Sequence, residues 1–385
     1  MDSSLFATST CGRVIRTRTH YDAFLPSPLP PVLEWNGAVR EVIEQAGDAM
    51  SGLARDVEDR ADFLELLLRV DACHAAQAEG AACTPAGLFE AEASVARSDA
   101  GTRLALNYVA AFKHGCERMH ELPLSLRLVR ELHYVLADGV AEPRTTPGYF
   151  RKSQNWLGPE GCSLTEASFV PPPPDEMRDL LYNWEQYIHT ADETPVLARI
   201  AIAHYQLLTL HPFLTLNVSL ATLVINFVMW QMGFAGIPMP LAGAFAARSA
   251  PQFLERVMDL SRTGAWEKWL LYYATGMTLA AVALGETRRR FNGAAIADNE
   301  TMNRHEVDGA PRRMVELLRS RPVRSMAELA GAAGLSLEDT VDAVRRLAAL
   351  GLVERHPATG LVMAPRIMSA MEPQGKSSLD YGLFF

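Results

Sequence analysis

A run of 48 residues without Asp, Glu, Lys or Arg, from residue 200 to 247, restricts the possible folds of this chain most strongly. Charged residues make up 21% of the sequence, so a run of this length should carry about 10 of them. Its most apolar part, 218–232, is interrupted by Asn226 and Gln231 and ends at Gly233, before the roughly 20 residues that a membrane span needs. The run therefore predicts a buried helix in a globular core and no membrane partner.

The composition is that of an ordinary globular protein with an acidic balance. The chain has 385 residues, 49% of them hydrophobic, and 36 Lys and Arg against 45 Asp and Glu give a net charge of −9. Two domains are expected from this length, and an acidic chain is not typical of a bulk nucleic-acid binder. Because no secretory signal and no metal-ligand spacing is visible, we expect a cytoplasmic protein with reduced thiols at Cys11, Cys73, Cys83, Cys116 and Cys162.

Helical periodicity dominates the chain and predicts a mainly α fold. Helices are expected over 34–53, 60–78, 175–189, 195–210, 218–232, 250–262 and 266–290, with a leucine stripe at i, i+4 spacing from Leu124 to Leu136. The first thirty residues end in closely spaced prolines, which predicts an extended strap. We predict four segments: an N-terminal strap and helical region (1–110), a helical core (111–290), a linker (291–310), and a C-terminal module with a tail (311–385).

Two smaller parts of the sequence depart from this pattern. Segment 147–170 is rich in glycine and aromatic residues, which predicts a short β-hairpin or flap. In segment 311–366, two helices, a third capped by Ser336 and two short strands give the outline of a winged helix. Nine Arg against six acidic residues make this segment basic, but the first turn of the third helix is acidic. Protein docking or homodimer formation is therefore at least as well supported as DNA binding.

The charge-free run contains the sequence HPFLTLNVSLAT from His211 to Thr222. It resembles the signature loop H-P-F-x-D/E-G-N-G-R-x-x-R of the Fic (Fido-fold) family, with matches at His211, Pro212, Phe213 and Asn217. Neighbouring segments extend the likeness: AHYQ before the loop, PGYFRKSQNWLG at 147–158, similar to the family's flap, and WEKWL at 266–270. The resemblance covers residues from about 20 to 290. It implies the helical Fic fold with a small β-hairpin flap.

The resemblance implies transfer of AMP from ATP to a protein hydroxyl, with the motif histidine as general base. In that family an acidic residue holds Mg²⁺, while glycines and two arginines bind the phosphates. Here Thr215 stands at the acidic position, Leu216 and Val218 at the glycines, and Ser219 and Thr222 at the arginines. A pocket without these groups has little to hold phosphates, so we expect neither ATP nor Mg²⁺ as a cofactor and no ordinary AMP transfer.

The family's inhibitory helix, S/T-x-x-x-E-G/N, is degenerate as well. Ala75 stands at the hydroxyl position and the Glu79-Gly80 pair remains, but the arginine that this glutamate would pair with is Thr222. Because the family's salt bridge cannot form, Glu79 is expected either to face solvent or to take a new role beside His211.

His211 is the candidate catalytic residue, although a capping or core role is the alternative. The candidate substrate-binding residues, in a neutral pocket rich in hydroxyl groups, are Asn217, Thr215, Ser219, Thr222, Phe213, Arg151, Gln154 and Glu79. Asn217 could instead cap the next helix, and Phe213 is expected in the core. Arg151 and Gln154 could be merely solvated.

Three functions remain open from the sequence. The first is a repurposed enzyme that uses His211 as acid/base on a neutral or weakly charged small molecule. The second is a non-catalytic regulator that binds protein or DNA through the C-terminal module. The third is residual AMP transfer.

Overall fold

The computed structural model describes residues 1–57, 59–94, 98–140, 145–243, 245 and 250–372, without the side chains of 250–252. The predicted tail beyond residue 372 lies outside this range. The helices of the described part are α1 (Gly37–Val57), α2 (Ala61–Ala78), α3 (Pro85–Ala93), α4 (Ala100–Met119), α5 (Leu126–Leu136), α6 (Pro174–His189), α7 (Val196–Leu210), α8 (Asn217–Gln231), α9 (Ala250–Thr263), α10 (Trp266–Arg304), α11 (Gly309–Ser320), α12 (Met326–Ala333), α13 (Leu337–Ala349) and α14 (Pro365–Met371). The predicted mainly α class is confirmed.

The first thirty residues form a hairpin where the sequence predicted an extended strap. Strands β1 (Gly12–Arg16) and β2 (Asp22–Pro26) pair in antiparallel register. Gly12 is required there because a Cβ would lie 2.4 Å from the ring of Phe24. The predicted flap has a single antiparallel bridge, between Leu157 and Phe169, and otherwise consists of turns and irregular chain.

Helices α7 and α8 form the buried centre and account for most of the charge-free run. Every residue of α7 from Leu197 to Leu210 is buried, and so is every residue of α8 from Asn217 to Met229. Asn226 is paired inside this core: it donates to Asp71 at 3.1 Å and accepts the amide of Leu241 at 3.0 Å. In the described part of the chain, no helix is long and apolar enough to cross a membrane.

The chain divides into two compact units that differ from the four predicted segments. The first comprises Met1–Glu58, Leu68–Cys83 and Ser98–Ala281, and the second comprises Asp59–Leu67, Thr84–Arg97 and Val282–Phe385. The second unit contains α11 to α13 and a small sheet ordered β3 (Val323–Arg324), β5 (Val362–Met363), β4 (Glu354–Arg355). Ser325 and Ser336 cap α12 and α13.

The predicted linker over 291–310 is wrong for most of its length, because α10 continues to Arg304. Its buried side chains Phe291, Ala295, Asp298 and Met302 follow helical spacing. Asp298 interrupts this stripe in the sequence, yet it is buried and paired with Arg366 at 2.7 Å. A buried carboxylate inside an otherwise apolar stripe made the segment look aperiodic.

Candidate functional site

The segment between α7 and α8 is a tight loop with a left-handed residue at each end. His211 ends α7 with φ 48°, and Leu216 precedes α8 with φ 61°. Leu216 occupies a position where the resemblance calls for glycine, and its backbone has the left-handed conformation that favours glycine. Leu216 thus adopts this conformation although it carries a side chain.

The imidazole of His211 is fixed in one tautomer. Its Nδ1 lies 3.1 Å from the carbonyl oxygen of Leu208. A carbonyl only accepts, so Nδ1 carries the proton and Nε2 keeps its lone pair. Burial, opposed in part by the Leu208 contact, lowers the pKa of His211 to about 4. The ring is therefore neutral at pH 7 and can accept a proton at Nε2.

Arg151 does not reach into the site, and it is not solvated either. Its side chain is buried, and Nε donates to the carbonyl of His211 at 2.9 Å while a terminal nitrogen donates to Leu210 at 3.3 Å and to Pro172. Its backbone amide donates to the carbonyl of Pro212 at 2.9 Å. Its role is to clamp the loop backbone, because a guanidinium presents donors in several directions at once.

Gln154 also has a structural role, between the N-terminal hairpin and the flap. Its Oε1 accepts from the hydroxyl of Tyr21 at 3.0 Å and its Nε2 donates to the carbonyl of Pro171 at 2.8 Å. The predicted substrate contact for Gln154 is not supported by this geometry.

Asn217 pins the loop and does not cap α8. Its Oδ1 accepts the amide of Phe213 at 3.0 Å and its Nδ2 donates to the carbonyl of the same residue at 2.8 Å. The residue before the first turn of α8 is Leu216, which makes no side-chain capping bond. The predicted cap was therefore wrong, and Asn217 closes the loop on itself.

Phe213 lies in the core as predicted, against a residue that the sequence analysis missed. Its ring stacks on His133 with centroids 3.8 Å apart and planes at 6°. His133 accepts the amide of Gly148 at Nδ1 (3.0 Å) and donates from Nε2 to the carbonyl of Thr215 (3.3 Å). His133 thereby ties the flap to the loop. His133 directly follows Leu132 of the predicted leucine stripe. This position on α5 is the one sequence feature from which a role for His133 could have been predicted.

Two of the predicted hydroxyls face inward to backbone carbonyls. Ser219 Oγ donates to Ala75 at 2.9 Å, and Thr222 Oγ1 donates to Val218 at 2.8 Å. Both side chains are fully buried. The predicted pocket lined by hydroxyls is therefore wrong for these two residues. Their hydroxyls donate to backbone carbonyls of helices and do not line the cavity.

Glu79 occupies the N-terminus of α8. Its Oε1 accepts the backbone amide of Ser219 at 2.9 Å. Burial raises the pKa of Glu79, and amide contacts from Ser219 and Val218 oppose that rise. The two alternatives from the sequence are thus decided: Glu79 does not simply face solvent, and its carboxylate lies where a helix N-terminus binds anions.

His211 and Glu79 line one cavity of about 350 Å³. Its other walls are Ala81, Ala100, Leu104, Val140, Leu214, Thr215, Leu216 and Asn217. Among the described residues, neither Lys nor Arg lines this cavity. Four of the nine predicted site residues come together here (His211, Glu79, Thr215 and Asn217), in walls that are otherwise apolar.

Thr215 offers a poor replacement for a metal-binding acid. Its Oγ1 is buried without a hydrogen-bond partner among the described residues. In the same part of the chain, no three His, Cys, Asp or Glu side chains lie together as a metal site would require.

Comparison with known proteins identifies the helical core around this loop. The model of the Fic/DOC family matches residues 123–229. Protein adenylyltransferase Fic of Drosophila virilis is 27% identical over 143 residues, 36% of this chain and 26% of the relative. The Drosophila grimshawi protein of the same name is 25% identical over 142 residues, with the same coverage. Residues 123–229 are thus similar to the Fic/DOC family model, and the chain spans about a quarter of the length of the adenylyltransferases that it matches.

A solved structure shows the same fold over most of the chain. A Fic family protein from Desulfovibrio desulfuricans G20 aligns with a TM-score of 0.52 and 13% identity, covering 87% of this chain and 98% of that one. At this identity the likeness establishes the fold and does not extend to activity.

Proposed function

We propose that this chain, which carries a Fic/DOC family domain, is a diverged enzyme that uses His211 as acid/base on a small neutral or cationic substrate and has lost Mg-ATP-dependent AMP transfer. One combined observation carries the proposal. His211 is a neutral histidine whose Nδ1 is bound to the Leu208 carbonyl, and it lines a cavity in which Glu79 is the only acidic or basic wall residue besides His211 among those described.

The electrostatics of the cavity argue against a nucleotide. ATP bears about four negative charges, which need cations or free backbone amides. The Ser219 amide at the start of α8 is already bound to the Glu79 carboxylate, 2.9 Å away. An anion entering here would compete with the Glu79 carboxyl group for that amide, and Thr215 supplies no carboxylate for Mg²⁺. These residues do not fit a magnesium-nucleotide complex.

The same residues fit a proton-transfer role. Nε2 of His211 would accept a proton from a substrate hydroxyl or amine. A folded-state pKa of about 4 makes the imidazolium a strong acid, so the proton would be returned within the same turnover. The Arg151 clamp on the carbonyls of His211 and Leu210 would hold the ring in position during both transfers. The apolar part of the wall would favour a compact substrate.

The experiment compares wild-type protein with His211→Ala in a mixture of small metabolites, followed by mass spectrometry. We expect at least one neutral or amine-bearing compound to be consumed by the wild type and to persist with the variant, a loss of at least about 100-fold in rate. His305→Ala, an exposed histidine that does not line the cavity, serves as the matched control and should retain turnover. Equal consumption by wild type and His211→Ala would refute the role of His211.

A second candidate is a non-catalytic regulator acting through the C-terminal module. Helix α13 exposes Glu338, Asp339 and Asp342, and Arg345 pairs with Asp342 at 2.9 Å. This acidic face supports a protein partner over DNA, whose phosphates it would repel. If no metabolite is consumed and a partner complex forms equally with His211→Ala, this second function replaces the first.

A further inference from the structure

Two thiols lie in contact on either side of the turn that carries Glu79. Cys73 Sγ, on α2, is 2.8 Å from Cys83 Sγ, which lies in the segment after that helix. A disulfide bond measures about 2.05 Å, so the two sulfurs are unbonded and within reach of one another. Gly80 reverses the chain between them with φ 83°.

The segment between these thiols forms part of the cavity wall. Glu79 and Ala81 both line the cavity that contains His211. Gln77 donates from Nε2 to the carbonyl of Cys83 at 2.8 Å, and the amide of Ala81 donates to Ala76 at 3.0 Å. The position of Glu79 at the start of α8 therefore depends on how this short segment is held.

We propose that Cys73 and Cys83 form a reversible disulfide when the protein meets a hydroperoxide, and that this bond fixes the turn carrying Glu79 against α8. The proposal stands on the geometry of the two thiols and does not depend on the substrate of the cavity.

The chemistry assigns different roles to the two sulfurs. Cys73 is fully buried, whereas Cys83 retains 6% exposure, so the first attack falls to Cys83. The hydrogen bond from Cys73 lowers the pKa of Cys83, against the opposing effects of burial and of Asp99. A lowered pKa favours the thiolate, which is the nucleophilic form.

The reaction balances with hydrogen peroxide as the oxidant. The Cys83 thiolate attacks one peroxide oxygen, the O–O bond breaks, and the departing hydroxide takes a proton to become water. The resulting sulfenic acid is attacked by the sulfur of Cys73, the S–S bond forms, and the hydroxyl leaves as a second water with the Cys73 proton. Two thiols lose two electrons and two protons, and one peroxide takes them up to give two waters.

Cys11 provides an internal comparison within the same protein. It is buried against the hydroxyl of Tyr205 at 3.4 Å and the carbonyl of Leu260 at 3.2 Å. Burial raises the pKa of Cys11. A thiol in this environment is expected to stay reduced under conditions that oxidise the Cys73–Cys83 pair.

The test treats the folded full-length chain with hydrogen peroxide, quenches it, alkylates it after denaturation and digests it with a protease that cleaves after glutamate. Cleavage after Glu79 separates Cys73 from Cys83, so a disulfide appears as two linked peptides. We expect a mass loss of about 2 Da relative to the two free thiols, loss of both alkyl adducts and reversal by dithiothreitol. Cys11 should remain alkylated.

Matched variants keep the outcome interpretable. Cys73→Ser and Cys83→Ser should each abolish the linked peptide, whereas Cys162→Ser should retain it. Because the wild-type digest is itself diagnostic, misfolding of a variant would not obscure the result. Full alkylation of Cys73 and Cys83 after peroxide treatment, or a link from either to another cysteine, would overturn the proposal.

Discussion

Burial keeps three histidines neutral, and the contacts of their ring nitrogens give them different roles. Burial lowers the pKa of His133 and His211 to about 4 and that of His204 to about 3. His133 uses both nitrogens in hydrogen bonds that join the flap to the loop. His204 contacts the hydroxyl of Tyr273 at 3.2 Å inside the core. Of the three, His211 lines the cavity.

His211 should titrate far below an ordinary histidine. We expect ¹⁵N NMR of the imidazole to show the tautomer with Nδ1 protonated from pH 8 downwards, with protonation of Nε2 centred near pH 4. The unfolded chain binds this proton near pH 6.5. The contribution of neutral His211 to the free energy of unfolding is therefore fully present above about pH 6.5. It falls by about 1.4 kcal/mol per pH unit as the pH drops from there towards 4. A midpoint near 6.5 in the folded protein would show that the ring is solvated.

The role of Arg151 could not be predicted from its residue type alone. From the sequence, Arg151 on the flap was a candidate substrate-binding residue, with a solvated side chain as the alternative. In the structure its donors are taken by carbonyls of His211, Leu210 and Pro172. Burial lowers its pKa to about 10, which leaves it charged at pH 7. The difference lies in tertiary contacts with the loop backbone, which no local pattern in the sequence reveals.

At the scale of elements, the loop between α7 and α8 has a left-handed residue at each end, His211 and Leu216. The left-handed conformation of Leu216 costs an L-residue about 1 kcal/mol. The contacts of Phe213 with Asn217 and His133 hold the loop in this shape. The shape of the loop therefore depends on these contacts.

Restoring glycine separately at the two changed positions should give different results. Leu216→Gly should change the free energy of unfolding by less than about 1 kcal/mol, because relief of the left-handed strain offsets the lost side-chain contacts. Val218→Gly should cost about 2–3 kcal/mol, because Val218 is buried in the first turn of α8. Urea denaturation of both variants checks this. A larger loss for Leu216→Gly than for Val218→Gly would contradict the proposed strain.

The helices were predicted well because their apolar spacing is set by burial against one core. The expected helices over 195–210 and 218–232 match α7 and α8 within one residue at each end. The hairpin of β1 and β2 was missed because its strands are short and close to prolines. The extension of α10 was missed because Asp298 breaks its apolar stripe. The partners of Ser219 and Thr222 were also missed, since they depend on which carbonyl each hydroxyl meets.

At the scale of the whole chain, the absence of charge between residues 200 and 247 has two causes. Most of the run fills α7 and α8, where an unpaired charge would be costly to bury. At Thr215, Ser219 and Thr222 it coincides with positions that the resemblance assigns to charged residues. Ser219 and Thr222 donate to backbone carbonyls, so their hydroxyls are satisfied inside the core.

The division into two units places the cavity entirely within the first. All of its walls belong to Leu68–Cys83 or Ser98–Ala281. The C-terminal module therefore contributes none of the residues described at this site, and its function can be tested separately from that of His211.

The central claim is that the phosphate site is absent, and calorimetric titration with Mg-ATP tests it most directly. The titration is carried out on the wild type, on Glu79→Ala and on the matched variant Glu79→Gln. If the phosphate site is lost and not merely blocked, none of the three should bind Mg-ATP with a Kd below about 1 mM. None should transfer labelled AMP to protein. Tight binding and AMP transfer by Glu79→Ala, with neither in the wild type, would contradict the account. That result would show an intact adenylyltransferase held inactive by Glu79.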